Sequence, residues 1–273
     1  MKLFLSIGNL ANKVSSRLSE SQESNKRVVT ASDLGISTGR PTEVEENAAN
    51  NKKIKLLSSQ GYEEAIVVFD VSDTRCFSLF VIAEALKASQ TYFIGVFPPK
   101  GKALRQDEDS MFILNVLQEI RRSKMIGFLT FFSVDVIQKY DDEMTLLNRE
   151  KRIVQKIANS FLEMVYWDTQ EFLDGQEVDK KDFDAMISYQ DFDMNSKLKM
   201  PTFFLDIFDD LCYYFILSET DAKSKEFYES FMKMLESLED NSSYKIFVDK
   251  LSDSYCFVKS FQRAPVVFEV ETK

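Results

Sequence analysis

A chain of 273 residues, 44% of them hydrophobic, can bury one large core or two unequal ones, which excludes a disordered protein. Its formal net charge of −10 argues against a nucleic-acid surface or an anionic membrane, since both ask for clustered Lys and Arg. The absence of histidine removes imidazole from every catalytic and metal-binding role and leaves carboxylates, lysines, hydroxyls and thiols.

Leu3–Ile7 reads as a first strand, turning through Gly8-Asn9-Leu10-Ala11-Asn12 into a helix over Lys13–Ser19. A second strand, Arg27–Thr30, precedes a loop at Thr38–Glu43 and a polar helix over Val44–Ser58, with Thr42 expected as its N-cap. Ala65–Phe69 is a short apolar run of the kind that forms a fully buried strand. It is followed by Asp70-Val71-Ser72-Asp73-Thr74-Arg75-Cys76-Phe77-Ser78, a loop without glycine, and a helix over Phe80–Ala88. Strand Thr91–Phe97, helix Ser110–Arg122, strand Ile126–Phe132 and helix Glu150–Val165 continue the alternation, which is the signature of a sheet built from βα units.

A loop at Asp174-Gly175 and a helix from about Asp179 to Tyr189 come next. Past Lys199 the pattern turns strand-rich, with strands at Thr202–Phe208, Cys212–Leu217, Tyr244–Val248, Tyr255–Ser260 and Val266–Val270. Among them, Asp221–Leu238 is an amphipathic helix expected to bury Phe227, Tyr228, Phe231, Met234, Leu235 and Leu238. No apolar run approaches the roughly 20 residues that span a bilayer, and Met1–Gly8 breaks too early for a signal-peptide core. A cytoplasmic protein without membrane insertion is expected. Cys76, Cys212 and Cys256 are odd in number and lack CxxC spacing, so they read as free buried thiols, with no zinc site.

Several segments resemble the tubulin/FtsZ superfamily, in family order over about residues 1–190. Gly8-Asn9-Leu10-Ala11-Asn12-Lys13-Val14 is similar to the first tubulin loop, with Ala11 in place of its second glycine. Thr30-Ala31-Ser32-Asp33-Leu34 and Gly39-Arg40-Pro41-Thr42-Glu43-Val44 are similar to the second and third loops. Val81–Leu86 and Val96–Lys102 resemble the helix and strand beyond the family's glycine signature, and Val178-Asp179-Lys180-Lys181-Asp182-Phe183 resembles the synergy loop entering the central helix.

The resemblance implies an α/β fold with an FtsZ/tubulin-like, Rossmann-type nucleotide domain over residues 1–177. A central connecting helix over 178–198 and a smaller α+β C-terminal domain over 199–273 follow. It also implies nucleotide contacts from Gly8, Asn9 and Asn12, the last meeting the base, and from Thr74 and Arg75 in the phosphate loop. Asp179 and Asp182 would be catalytic, completing the GTPase site of a neighbouring subunit. Both acids equally suit a helix N-terminus, where carboxylates stabilise the dipole, and Gly8, Asn9 and Asn12 equally suit a plain turn.

The departure falls on the phosphate loop, where the family's glycine run faces Val71–Phe77 and only Thr74 keeps its type. Asp70 and Asp73 would set negative charge where polyphosphate sits, each such contact costing on the order of 4 kcal/mol at about 4 Å and an effective dielectric near 20. The two acids are also hard oxygen ligands, but two are too few for a cation site. The leading expectation is therefore a non-catalytic pseudo-GTPase without a cofactor. It would act by self-assembly or by docking on another tubulin/FtsZ-like protein. The alternatives are an active GTPase with an atypical phosphate loop, with GTP as its cofactor, and a structural subunit of a larger, possibly viral, particle.

Overall fold

The structure, a computed structural model, describes residues 1–21, 25–97, 99, 112–113, 116–117, 120–121, 123–141, 143–175, 185–192, 210–238, 242–250 and 253–263. They divide into two compact units, one reaching from Met1 to Glu163 and the other from Met164 to Arg263.

The first unit is a parallel α/β layer. Strands β1 (Lys2–Ile7), β2 (Lys26–Thr30), β3 (Glu64–Asp70), β4 (Gln90–Phe97) and β5 (Phe128–Ser133) lie in the order β2-β1-β3-β4-β5. Every pairing among them is parallel, with Leu3 opposite Ala65 and Ile7 opposite Phe69. Leu3, Phe4, Leu5 and Ile7 of β1 and all five residues from Ala65 to Phe69 are buried, as expected of strands covered on both faces.

Helix α1 (Asn9–Glu20) lays Ala11, Val14 and Leu18 against this sheet at helical spacing. The polar helix expected over Val44–Ser58 is two helices, α2 (Pro41–Asn50) and α3 (Lys52–Leu57). Asn51 divides them: its extended backbone ends α2, its Oδ1 accepts from Lys53 N at 2.8 Å, and its Nδ2 donates to Leu34 O at 2.7 Å. The N-cap of α2 is Arg40 rather than Thr42, since Pro41 takes the first helical position and the Glu43 carboxylate accepts from Arg40 N.

Helix α4 (Leu79–Leu86) follows a 3-10 turn at Thr74–Ser78. The described residues of the helix expected at Ser110–Arg122 are helical, with Ile113, Leu117 and Ile120 buried. After β5 come α5 (Val134–Tyr140), which the sequence pattern does not indicate, and α6 (Arg149–Asp168). At 20 residues α6 is the long helix of the chain's described part, and it precedes the 178–198 stretch expected to hold the central helix.

Within that stretch, Ala185–Phe192 is strand β7, which corrects the helix expected to Tyr189. Over so short a span, apolar Phe183, Met186 and Ile187 fit a helical period while Ala185, Ile187 and Tyr189 alternate, and sheet pairing decides. Residues 193–209 and 264–273, including the strands expected at Thr202–Phe208 and Val266–Val270, lie outside the described residues.

The second unit is a mixed sheet. It comprises β6 (Asp174–Gly175), β7, β8 (Asp210–Ser218), β9 (Ser242–Asp249) and β10 (Tyr255–Arg263). Strand β10 pairs antiparallel with β7 and β8, β8 runs parallel to β9, and β6 closes antiparallel on β9. Its strands alternate: Leu211, Tyr213, Phe215 and Leu217 join one cluster with Phe231 and Met234, while Cys212, Tyr214 and Ile216 join another with Trp167, Phe247 and Phe257. The amphipathic helix expected at Asp221–Leu238 is broken into α7 (Glu219–Ala222) and α8 (Lys225–Leu235), because Ser224 caps the second by accepting from Phe227 N. Tyr228 is exposed rather than buried, whereas Phe227, Leu235 and Leu238 pack against the first cluster.

Candidate functional site

The strand order β2-β1-β3-β4-β5 reverses direction between β1 and β3, and in open parallel sheets ligands bind outside the carboxyl ends at that switch point. Two loops meet there. One leaves β1 through Gly8, and the other leaves β3 through Asp70.

Gly8 has φ +110°, a conformation that side chains rarely adopt, and it opens α1 directly. The first N–H groups of a helix have no partner within it and carry the positive end of its dipole. The carboxylate of Asp70 takes them. Its Oδ2 accepts from Leu10 N at 3.0 Å and its Oδ1 from Ala11 N at 2.9 Å. An added Cβ on Gly8 would lie 2.2 Å from Asp70 Oδ2, so the glycine makes room for the carboxylate. Burial pushes the Asp70 carboxyl up to about 6, outweighing the downward pull of the Ala11, Leu10 and Asn9 N–H groups, and the nearby Asp73 charge adds to the rise.

The rest of the glycine-free loop is packed inward. Val71, Cys76, Phe77 and Ser78 are buried, and Phe77 meets the ring of Phe112 edge-on at 5.3 Å. Asp73 N donates to Asp70 O at 2.8 Å, and Asp73 Oδ1 caps the 3-10 turn by accepting from Arg75 N. The Arg75 guanidinium folds back on Asp73 with two bonds, Nε to Oδ1 at 2.9 Å and Nη2 to Oδ2 at 2.6 Å. It is thereby held to a carboxylate two residues away, with Ser32 Oγ at 3.4 Å. Burial, then the charges of Asp73 and Asp70, push the Cys76 thiol well above its ordinary range, which makes it a poor nucleophile.

The structure thus brings Gly8 and Asn9 together with Asp70, and Thr74 and Arg75 onto the turn beside it. Asn9 is exposed. Asn12 stands one turn into α1, where its N donates to Gly8 O at 3.1 Å while its buried Oδ1 finds no partner among the described residues. Asp179 and Asp182 lie outside the described residues. Among the described residues no three His, Cys, Asp or Glu side chains gather as a metal cluster, and no helix is long and apolar enough to cross a membrane.

Sequence reasoning treats Asp70 as a source of repulsion and misses that its carboxylate is itself the anion at the helix start. The available signal is that Gly8 and Asp70 each follow the last apolar residue of a predicted strand.

No protein-family model matches the sequence, and no curated protein does. Solved structures match over almost the whole chain. An FtsZ mutant from M. jannaschii is 17% identical with a TM-score of 0.61, over 96% of this chain and 90% of that one. CetZ from Methanosaeta thermophila is 14% identical with a TM-score of 0.64, over 97% and 87%. A GTPγS-form protofilament of TubZ from Bacillus thuringiensis serovar israelensis gives 9% identity and a TM-score of 0.66, over 96% and 87%. The chain has the tubulin/FtsZ fold: a Rossmann-type parallel α/β unit followed by a smaller C-terminal unit.

Proposed function

We propose that this tubulin/FtsZ-fold chain is a non-catalytic assembly protein, working through protein–protein contacts with copies of itself or with another protein of the same fold. One observation carries the proposal: the Asp70 carboxylate accepts from Leu10 N and Ala11 N at the switch point, where an incoming phosphate would need those same donors. GTP does not fit these residues. It would have to expel a side chain for which Gly8 leaves room, and then face the Asp70 and Asp73 charges at on the order of 4 kcal/mol per contact at about 4 Å and a dielectric near 20.

Arg75, the cation best placed to offset that cost, is held by Asp73. The fold supports assembly because solved structures that share it include a TubZ protofilament and an FtsZ dimer. Fluorescent GTP titrated into the chain should show no saturable micromolar binding and no phosphate release, while sedimentation velocity shows association that nucleotide does not alter. Saturable binding with turnover overturns the proposal.

The buried, unpartnered Oδ1 of Asn12 favours a second reading, in which GTP binds in an altered pose and Asp179 and Asp182 serve hydrolysis on a neighbouring subunit. Under it, Asp179→Ala and Asp182→Ala abolish phosphate release and leave GTP affinity unchanged.

A further inference from the structure

Of the eight glycines in the chain, Gly175 alone follows an aspartate or an asparagine, and the pair Asp174-Gly175 forms the two-residue strand β6. Such a dipeptide can react with itself. The amide nitrogen after an aspartate can attack the aspartate's own Cγ and close a five-membered ring, and the rate depends on how near and how unobstructed that nitrogen is.

Three observations bear on this nitrogen. Gly175 N donates to Asp174 Oδ1 at 2.8 Å, so it is held against the carboxyl group it would attack. Residue 175 has no side chain to shield it and no space for one: at φ +125° an added Cβ would lie 2.1 Å from Tyr244 O. Asp174 is exposed, so water can enter and leave. Two other pairs of related chemistry lack these features. Asn159-Ser160 lies inside α6, whose backbone bonds withhold the nitrogen, and in Asp253-Ser254 the serine side chain is fixed, accepting from Ser218 N and donating to Asp221.

We propose that Asp174-Gly175 is a self-modification site, at which the folded chain converts Asp174 to isoaspartate and thereby detaches β6 from β9. The bond from Gly175 N to Asp174 Cγ forms, and the amide proton and the carboxyl OH leave together as one water, giving a succinimide. Hydrolysis returns that water. Addition at Cγ restores Asp174, whereas addition at the main-chain carbonyl of Asp174 breaks its bond to Gly175 N and leaves isoaspartate. Water is the only other reactant.

Isoaspartate carries the backbone through Cβ and Cγ, one chain atom more than before, and turns the former main-chain carbonyl into a free carboxylate. The surroundings offer no slack for it. Leu173 N donates to Ile246 O at 2.7 Å on one side, and on the other Gly175 lies opposite Lys245, against Tyr244 O. A strand of two residues has no further pairing to hold it once that register is lost. The site is independent of the assembly reading above.

The test holds the full chain folded in warm buffer for weeks, counts isoaspartate by enzymatic methylation of its free α-carboxyl, and locates it by peptide mapping. Isoaspartate should accumulate at residue 174 ahead of every Asp-Ser and Asn-Ser pair, and no more slowly than in the same chain unfolded in urea. Asp174→Glu, whose ring would need six members, should remove most of the total. Asp174→Asn should convert faster and release ammonia, because an uncharged amide carbonyl is attacked more readily than a carboxylate. In converted protein the Leu173 N–H should lose its protection from hydrogen exchange. Slower conversion in the folded chain than in urea overturns the proposal, as does a total that Asp174→Glu leaves unchanged. Protection kept at Leu173 after conversion overturns the detachment of β6.

Discussion

The first unit buries β1 and β3 as near-continuous apolar runs, whereas the second alternates, with odd-numbered residues of β8 in one cluster and even-numbered residues in another. The materials differ as well. The second unit stacks Tyr213 on Phe215 and Tyr214 on Phe247 and Phe257, and spends its polar tips on packing, with Tyr214 OH donating to Asp168 and Trp167 Nε1 to Tyr255 OH. A strand covered on both faces carries mostly apolar side chains. The first unit sets its acids Asp70 and Asp73 at the carboxyl edge and keeps a few polar groups in its core, Thr91 accepting from Gly127 N and Arg121 donating to Ile126 O, whereas the second disperses aromatic polar tips through its core.

Breaking the second unit should therefore cost stability and leave the candidate site alone. Phe247→Ala empties a buried position between Trp167, at 4.8 Å between ring centroids, and Tyr214, and should lower stability by about 3–5 kcal/mol. Trp167 is the only tryptophan, so its fluorescence in a urea titration reports this unit directly.

The next largest effect is at the seat. Gly8→Ala meets both a positive φ and the Asp70 carboxylate, and should cost about 3 kcal/mol in a urea titration followed by far-UV circular dichroism. Pairing it with Asp70→Gly should recover at least about 1 kcal/mol, a coupling measured by the double-mutant cycle. Simple additivity would mean that Gly8 does not accommodate Asp70.

Slightly smaller is the pH effect. The Asp70 carboxyl titrates near 6 in the folded chain against about 3.9 unfolded, so the native state holds the proton more tightly. Stability from this group is fully present below about pH 4 and is lost as pH rises through 6, a difference of about 2–3 kcal/mol. Urea titrations from pH 4 to 7 should show that decline in wild type and its absence in Asp70→Asn. Smallest of all, Arg75→Ala removes a partly exposed pair with Asp73 and should cost under about 1 kcal/mol. A larger loss there would make the turn, rather than the carboxylate, the organiser of the site.

How much of this was legible in the sequence differs between the units in the same way. The first unit's strands stand out because buried runs such as Ala65–Phe69 are bounded by polar residues, and α1 shows its helical spacing from Ala11 to Leu18. The break at Asn51 does not stand out, because it depends on a bond to Leu34 O, 17 residues away. Nor does the seat, since only the β1–β3 register sets Asp70 beside Gly8. In the second unit, Ala185–Phe192 suits a helix or a strand equally, and only pairing with β10 decides; Tyr228 fits the apolar stripe of its helix by spacing, yet nothing covers it enough to bury it.

Asp70 has one more consequence. A ligand tethered to the neighbouring strand has a fixed effective molarity, which neither dilution nor metabolism changes. The carboxylate at the start of α1 is supplied by the chain itself, so every folded copy holds it there at the same local concentration.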